Sequence, residues 1–257
     1  MDEPAQAPSG EPDAFLGGRL FLRQPERGHR AGTDAILLAA AAPAEYADLA
    51  LDVGSGVGAA GLALALTRRG AKVGLIENDP RTADLARENL VLNGMPDRGQ
   101  VFEADALSPR SRRAAGLADE SAGLVISNPP FFDARRSRPS PDEGKRRAHV
   151  MPGEGAGALE AWIAACLALA RPGGSFILIH RPENLAAILA SLEGRAGGVT
   201  VLPVHAREGA PAIRILLRAK KGSRAPLSIA PALTLHEGSR FTAIAEAIHR
   251  GDAAIDW

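Results

Sequence analysis

Short hydrophobic runs alternate with helix-like segments along the chain from residue 49 onward. Seven such runs lie at 49–53, 72–76, 101–102, 123–126, 175–179, 199–204 and 213–217, and all but the two residues at 101–102 have the length of a buried strand. Helical patterns separate most of them, at 59–67, 81–92, 158–169 and 185–192. This alternation predicts an α/β fold with a mostly parallel sheet of seven strands and helices on both faces.

The connection between the last two runs sets the direction of the final strand. Residues 205–211 are too few for a helical crossover, so we expect the last strand to be antiparallel to its neighbour. A further helix is predicted at 242–249, and Gly251 is placed to end it. Near the start of the chain, Thr33 and Asp34 are candidate helix caps before an apolar segment.

Two segments depart from this rhythm. Residues 1–13 are rich in Pro, Ala, Gly and acidic side chains, and we expect a disordered tail there. Residues 14–257 are then predicted to form a single domain. Residues 133–157 form a long polar insertion between a strand and a helix, which is typical of a functional loop.

Composition narrows the class of protein. The chain has 257 residues, 46% hydrophobic, with 30 basic residues balanced by 30 acidic ones. Because the net charge is zero, the chain as a whole does not attract polyanions, so binding such a partner would require a local basic patch. The single cysteine, Cys166, excludes a disulfide framework and a thiolate metal site, and we expect no metal. Without a signal-peptide pattern or an apolar run of ~20 residues, a soluble cytoplasmic protein is expected.

A glycine-rich turn follows the first of the seven runs. Its sequence is Leu51-Asp52-Val53-Gly54-Ser55-Gly56-Val57-Gly58, where a strand ends and a helix begins. Glycines there let the backbone turn tightly and approach a ligand. The spacing also fits the loose dinucleotide fingerprint, so the turn by itself leaves a dinucleotide enzyme open.

Three acidic residues favour S-adenosylmethionine as the ligand. Asp52 precedes the glycines, where its carboxylate can reach the amino acid end of the cofactor, directly or through water. Glu77 ends the next strand, the position from which an acid accepts both ribose hydroxyls. Asp105 follows the third strand and can accept from the adenine amino group.

The most specific motif is Asn128-Pro129-Pro130-Phe131, directly after the fourth strand. An amino group conjugated to a ring is a poor nucleophile because its lone pair is delocalised. The Asn128 side-chain oxygen and the Pro129 carbonyl can accept its two N–H bonds and orient the nitrogen. The prolines hold these acceptors in place, and Phe131 can stack on a planar base. The motif therefore predicts transfer of a methyl group to a planar amine.

Together these motifs resemble the valine-tRNA adenine-N6 methyltransferase family. Further segments carry the resemblance, which covers residues 14–251: Arg30 to Leu38, Arg171 to Gly174, Lys220 to Ser223 and Leu235 to Glu237. It implies a Rossmann-like class I methyltransferase fold, S-adenosylmethionine as donor, S-adenosylhomocysteine as product, and an adenine beside a tRNA anticodon as target. Phe131 departs from the Tyr that many members have there.

The resemblance also implies the site residues. The target-amine site comprises Asn128, Pro129, Pro130 and Phe131. The cofactor site comprises Thr33, Asp52, Gly54, Ser55, Gly56, Gly58, Glu77, Asn78, Asp105, Ala106 and Asn128.

A basic loop beside the motif is a candidate RNA contact. Six basic residues against Asp133, Asp142 and Glu143 give a local charge of +3. Arg and Lys contacts to phosphates would position RNA without reading its sequence. A solvated charged face is the alternative. The basic residues are Arg135, Arg136, Arg138, Lys145, Arg146 and Arg147, and His149 follows them.

Other substrates remain open at this point. Protein glutamine methyltransferases share an Asn-Pro-Pro motif, but they usually carry a helical domain before the glycine turn, and only about 50 residues precede it here. An rRNA or DNA amine is a further alternative. So is an RNA-binding module without turnover, which the intact Asn128 disfavours.

Overall fold

The hydrophobic runs form the strands of one large sheet in a computed structural model of the chain. It describes residues 11–26, 30–44, 46, 48–129 and 156–257. Its strands are β1 (Asp13–Phe15), β2 (Leu20–Leu22), β3 (Leu49–Val53), β4 (Lys72–Glu77), β5 (Gly99–Glu103), β6 (Ala122–Ser127), β7 (Ala170–His180), β8 (Ala196–Arg207), β9 (Ala212–Lys221), β10 (Ser228–Ile229), β11 (Leu233–Glu237) and β12 (Arg240–Phe241).

The order of strands confirms the predicted sheet. The seven predicted runs became β3 to β9, and they lie in the order β5-β4-β3-β6-β7-β9-β8. The strands from β5 to β7 are parallel, whereas β9 is antiparallel to both β7 and β8. The expectation of an antiparallel last strand among the seven is therefore confirmed.

The sheet is wider than the seven strands that the pattern predicted. β10 and β11 pair with β8 in parallel, and β12 forms a hairpin with β11. β10 and β12 have two residues each, too few to show the alternation that marks a strand in sequence. β10 and β11 form because β8 is twelve residues long and offers a free edge to the chain that returns past it, and β12 then pairs with β11.

Helices cover both faces of the sheet, as expected. They are α1 (Thr33–Ala40), α2 (Ala59–Thr67), α3 (Pro80–Leu92), α4 (Pro109–Ala114), α5 (Ala156–Leu169), α6 (Leu185–Leu192) and α7 (Ala243–Arg250). One buried cluster contains side chains of α1, α2 and α7, and a second contains side chains of α5 and α6. Successive side chains of β7 point to opposite faces of the sheet, so this strand contributes to both clusters. Ile177 belongs to the first cluster and Phe176 to the second.

The helix ends correct one prediction and confirm another. Thr33 and Asp34 are not caps, because α1 is preceded by Gly32 and has no side-chain cap. Thr33 is already helical, and Asp34 in the first turn forms an ion pair with Arg214 instead. At the other end of the chain, Gly251 ends α7 with a left-handed φ of +72°, as predicted.

The predicted tail reaches one residue too far into the chain. Asp13 begins β1, which pairs with β2 as an antiparallel hairpin. Its carboxylate accepts a hydrogen bond from Gln24 at 2.7 Å and forms an ion pair with Arg30, which explains why it is ordered. Residues 1–10 and 130–155 lie outside the described part, including most of the predicted loop at 133–157. That loop was predicted two residues too long at its end, since α5 begins at Ala156.

The C-terminal segment returns to the first helix and to the N-terminal hairpin. Trp257 Nε1 donates to the carbonyl of Ala41 at 3.2 Å, at the end of α1. Arg19, beside the hairpin, forms an ion pair with Asp252 at 3.0 Å. In the described ranges, no helix is both long and apolar enough to span a bilayer.

Candidate active site

The predicted site residues come together because parallel strands end at one edge of the sheet. In the registers of β3 with β6 and β4, Val53 lies opposite both Ser127 and Ile76. Glu77 at the end of β4 lies opposite Glu103 at the end of β5. The glycine turn, the acids after the strands and the Asn128 motif therefore leave the sheet side by side, at the edge where α/β proteins bind ligands.

The glycine turn has one open position between two crowded ones. Gly54, Gly56 and Gly58 have φ of +71°, +55° and +89°, which favour glycine. A Cβ at Gly54 would lie 2.8 Å from Trp162, and one at Gly58 would lie 2.8 Å from Leu75. A Cβ at Gly56 would meet nothing within 4 Å. The turn thus packs against the interior at its ends and leaves space for a ligand at its middle.

Asp52 faces the protein interior. Its side chain is 3% exposed, and Oδ2 accepts a hydrogen bond from the backbone N–H of Gly61 at 2.8 Å. Burial raises the pKa of Asp52 to about 7; the Gly61 bond opposes this shift and the charge of Glu77 adds to it. The carboxylate thus ties β3 to the first turns of α2, and its contact with a cofactor stays a prediction.

Glu77 joins the end of β4 to the glycine turn. Oε2 accepts from the N–H of Gly56, and Oε1 accepts from the N–H groups of Asn78 and Asp79, each at 2.9 Å. Burial raises the pKa of Glu77 although these bonds favour the charged form. A carboxylate has about four acceptor positions, so three such bonds leave capacity for a further donor such as a hydroxyl.

Asp105 follows β5 and is exposed at the same edge. Its Oδ1 accepts from the N–H of Leu107 at 2.9 Å, which fixes the carboxylate in a local turn. Ala106 and Ser55 are buried beside these acids. The Ser55 N–H donates to the carbonyl of Ile76 at 3.0 Å. The predicted cofactor roles of Ala106 and Ser55 therefore depend on where their backbone lies more than on their side chains.

Only part of the target-amine motif falls in the described residues. Asn128 is half-buried directly after β6, and Pro129 is buried. Pro130 and Phe131 lie outside the described residues. So do His149 and all six basic residues of the predicted RNA contact: Arg135, Arg136, Arg138, Lys145, Arg146 and Arg147.

Thr33 lies at the first turn of α1 and contacts the C-terminal helix. Its Oγ1 is 3.3 Å from Nε2 of His249 on α7. His249 also stacks on Phe241, whose other neighbour in the stack is His236. A cofactor role for Thr33 stays a prediction.

Trp162 on α5 is a site residue that the sequence did not reveal. Its Nε1–H donates to the hydroxyl of Ser127 at 2.9 Å, directly before Asn128. The buried thiol of Cys166 also interacts with Ser127, and burial raises the pKa of that thiol. A tryptophan in an apolar helical run predicts only core packing, so no sequence signal pointed to this contact.

The polar groups at this edge suit S-adenosylmethionine. The open backbone at Gly56 and the acceptors of Glu77 and Asp105 fit a ligand that carries an amino acid, two ribose hydroxyls and an adenine. Over the ranges that the structure describes, no group of three or more His, Cys, Asp or Glu side chains could hold a metal ion.

Comparisons with known proteins point to the same chemistry. A model of the methyltransferase small domain family matches residues 30–140. The tRNA1(Val) (adenine(37)-N6)-methyltransferase of Aeromonas hydrophila is 32% identical over 199 residues, 75% of this chain and 77% of that protein. The protein of the same name from Erwinia tasmaniensis is 31% identical over 137 residues, 53% of this chain. That match spans about half the relative's own length, 54%.

A solved structure agrees in fold over nearly its whole length. The crystal structure of a predicted O-methyltransferase from Agrobacterium tumefaciens has a TM-score of 0.72 and 34% identity, and the match covers 86% of this chain and 98% of that one. The Rossmann-like methyltransferase fold implied by the sequence is thereby confirmed.

Proposed function

Because the chain belongs to the tRNA1(Val) (adenine(37)-N6)-methyltransferase family, we propose that it methylates N6 of an adenine in tRNA, near the anticodon. Its family and fold make it a class I methyltransferase that uses S-adenosylmethionine. The observation that carries the proposal is the position of Asn128, directly after β6 and next to the strand that carries the glycine turn. Donor and acceptor would therefore meet at one edge of the sheet.

The donor side of the site is formed by backbone and acids. The turn from Gly54 to Gly58 would lie along the cofactor, with the open side of Gly56 toward it. Glu77 would accept from the ribose hydroxyls, and Asp105 from the adenine amino group. When bound, S-adenosylmethionine supplies a methyl group on a positively charged sulfur, which a neutral amine can attack.

The acceptor side is formed by Asn128 and Pro129. The side-chain oxygen of Asn128 and the carbonyl of Pro129 would accept the two N–H bonds of the adenine amine and orient its lone pair. The nitrogen gains the methyl group and releases one proton, and S-adenosylhomocysteine is the second product. Because the sulfonium leaves as a neutral thioether, no strong base is required, and preorganised acceptors account for the catalysis.

Two observations support RNA as the substrate: the basic residues that follow the Asn128 motif and the names of the relatives. Residues 133–147 carry a net charge of +3 directly after the motif in sequence, and phosphate contacts from such basic residues hold RNA. A loop adenine is easier to reach than a paired one, because enzymes that modify a base must remove it from its stack. Such a substrate would place the enzyme in the cytoplasm.

O-methyl transfer is the second candidate, since the Agrobacterium relative is named for it. Two acceptors side by side suit an amine, which offers two N–H donors, better than a hydroxyl, which offers one. A hydroxyl would also need a base to remove its proton during attack.

Mass spectrometry of nucleosides tests the proposal. Purified protein, S-adenosylmethionine and tRNA from a strain that lacks the gene should yield N6-methyladenosine. A methyl group on a ribose or other oxygen or on another base nitrogen would overturn the proposal, as would no transfer to tRNA at all.

Asn128→Ala tests the assigned residue. Turnover should fall about 100-fold, the scale for removing one preorganised polar group, while calorimetry shows cofactor binding retained. Asn93→Ala is the matched control, because Asn93 hydrogen-bonds the backbone of Phe21 in the N-terminal hairpin. That variant should keep its turnover. Wild-type activity in Asn128→Ala would rule out the role of Asn128.

A further inference from the structure

Trp162 links the two strand ends from which the donor and acceptor motifs emerge. Its indole Nε1–H donates to Ser127 Oγ at 2.9 Å, and Ser127 Oγ donates to the carbonyl of Val53 at 2.8 Å. Ser127 and Val53 also lie opposite each other in the register of β6 with β3. Two hydrogen bonds in series therefore run from α5 through β6 to β3.

The next residue on each strand belongs to the candidate active site. Gly54 follows Val53 and starts the glycine turn, and Asn128 follows Ser127. The indole also lies directly against the turn, since a Cβ at Gly54 would stand 2.8 and 3.0 Å from ring carbons Cζ2 and Cη2. One side chain thus contacts the start of the donor turn and the hydroxyl at the base of the acceptor motif.

This link consists of polar groups in a part of the core that apolar side chains alone could fill. Trp162 is 7% exposed and Ser127 is fully buried. A buried indole N–H needs an acceptor, and a buried hydroxyl needs partners of its own, so each fixes the orientation of the other. A Phe or Leu would fill much of the same space without constraining Ser127. The hydrogen bond therefore adds orientation to the contact.

We infer that Trp162 is a positioning residue for methyl transfer, which sets the separation between the glycine turn and Asn128. This inference rests on the proposed function. Reacting atoms must approach to roughly 3–3.5 Å in line, and a displacement of about 1 Å can cost on the order of 100-fold in rate. Trp162 acts on that distance through Gly54 and Ser127, without touching the reacting atoms.

The test compares Trp162→Phe with Trp257→Phe, each of which removes one indole N–H. Trp257 is a matched control because it donates to Ala41 at the end of α1. For Trp162→Phe we expect kcat on tRNA to fall about 10-fold or more. Its Kd for S-adenosylhomocysteine and its KM for tRNA should stay within about threefold of wild type. Trp257→Phe should keep its kcat.

Ser127→Ala interrupts the same link at its centre with a smaller change in volume. It should reproduce the loss in kcat with little change in cofactor affinity. The double variant Trp162→Phe/Ser127→Ala should be no slower than the slower single variant, because residues that act through one contact are not additive. Ser127→Ala decides the question if Trp162→Phe does not fold.

The outcomes separate the inference from the proposed function. Equal kcat values for Trp162→Phe and Trp257→Phe would overturn the inference, and so would multiplicative losses in the double variant. A parallel loss of kcat and cofactor affinity would also overturn it, because that pattern indicates general damage to the core. Wild-type protein that methylates no tRNA would refute the proposed function instead.

Discussion

Two glycines of the same turn should respond to alanine in opposite ways. Gly54→Ala places a Cβ 2.8 Å from the Trp162 ring at φ +71°, whereas Gly56→Ala places one in open space at φ +55°. Both substitutions force alanine into the left-handed region. Only the first also forces a side chain into packed core, and only the second puts a methyl group where a cofactor would lie.

The two structural differences translate into free energies of unfolding. A left-handed alanine costs about 1–2 kcal/mol, and overpacking a core adds about 1–3 kcal/mol. Gly54→Ala should therefore reduce stability by about 2–5 kcal/mol and Gly56→Ala by about 1–2 kcal/mol. Affinity for S-adenosylhomocysteine should show the reverse order, falling most for Gly56→Ala, because its methyl group displaces the ligand. That decrease should be about 10-fold or more, equivalent to roughly 1.4 kcal/mol.

Urea unfolding without ligand measures the first quantity, and titration calorimetry with S-adenosylhomocysteine measures the second. Both experiments use the folded full-length chain at one pH and one salt concentration. Equal destabilisation of the two variants would refute the packing argument at Gly54. Wild-type affinity in Gly56→Ala would refute the placement of the cofactor along the turn.

Two further predictions concern charge. The folded-state pKa of Asp52, about 7, lies above its usual 3.8, so the folded state holds a proton that the unfolded state has released between about pH 4 and 7. Stability should fall as the pH rises through that window, by up to about 4 kcal/mol from this group. Asp52→Asn should remove that part of the pH dependence in urea unfolding at pH 5 and pH 8; an unchanged slope would contradict it. Separately, replacing the loop arginines should lower the salt slope of tRNA binding by about 0.7–0.9 for each phosphate that the variant no longer neutralises. The residues to replace are Arg135, Arg136, Arg146 and Arg147. An unchanged slope in binding titrations would mean that these residues are a solvated charged surface and do not contact the RNA.

Regular periodicity allowed most of the fold to be predicted from sequence. The bounds of α2 and α6 match the predicted 59–67 and 185–192, because each is a run rich in Ala and Leu, both strong helix formers, between clear strand signals. β10 and β11 escaped prediction because both pair with β8, which is distant in sequence, and the two-residue β12 forms only as the partner of β11. Local pattern carries no information about such a partner.

The location of the site residues was predictable from sequence where parallel strands end at a common edge. The orientation of a side chain was less predictable where it depends on tertiary contacts. Parallel strands bring Glu77, Asp105 and Asn128 to one edge whatever their neighbours are. The inward orientation of Asp52 and the contact of Trp162 with Ser127 depend on α2 and α5 packing against the sheet. Neither relation has a local signature, so both required the structure.

The return of the C-terminal segment to the N-terminal hairpin has a consequence during synthesis. Arg19 and Asp252, which form an ion pair, are 233 positions apart in the chain. At roughly 5–20 residues per second, a ribosome needs on the order of 10 to 50 seconds between them. The hairpin emerges from the ribosome well before its partners in α7 and in the segment after it. Throughout that interval one side of α1 is uncovered in the nascent protein, a state that chaperones and proteases would encounter.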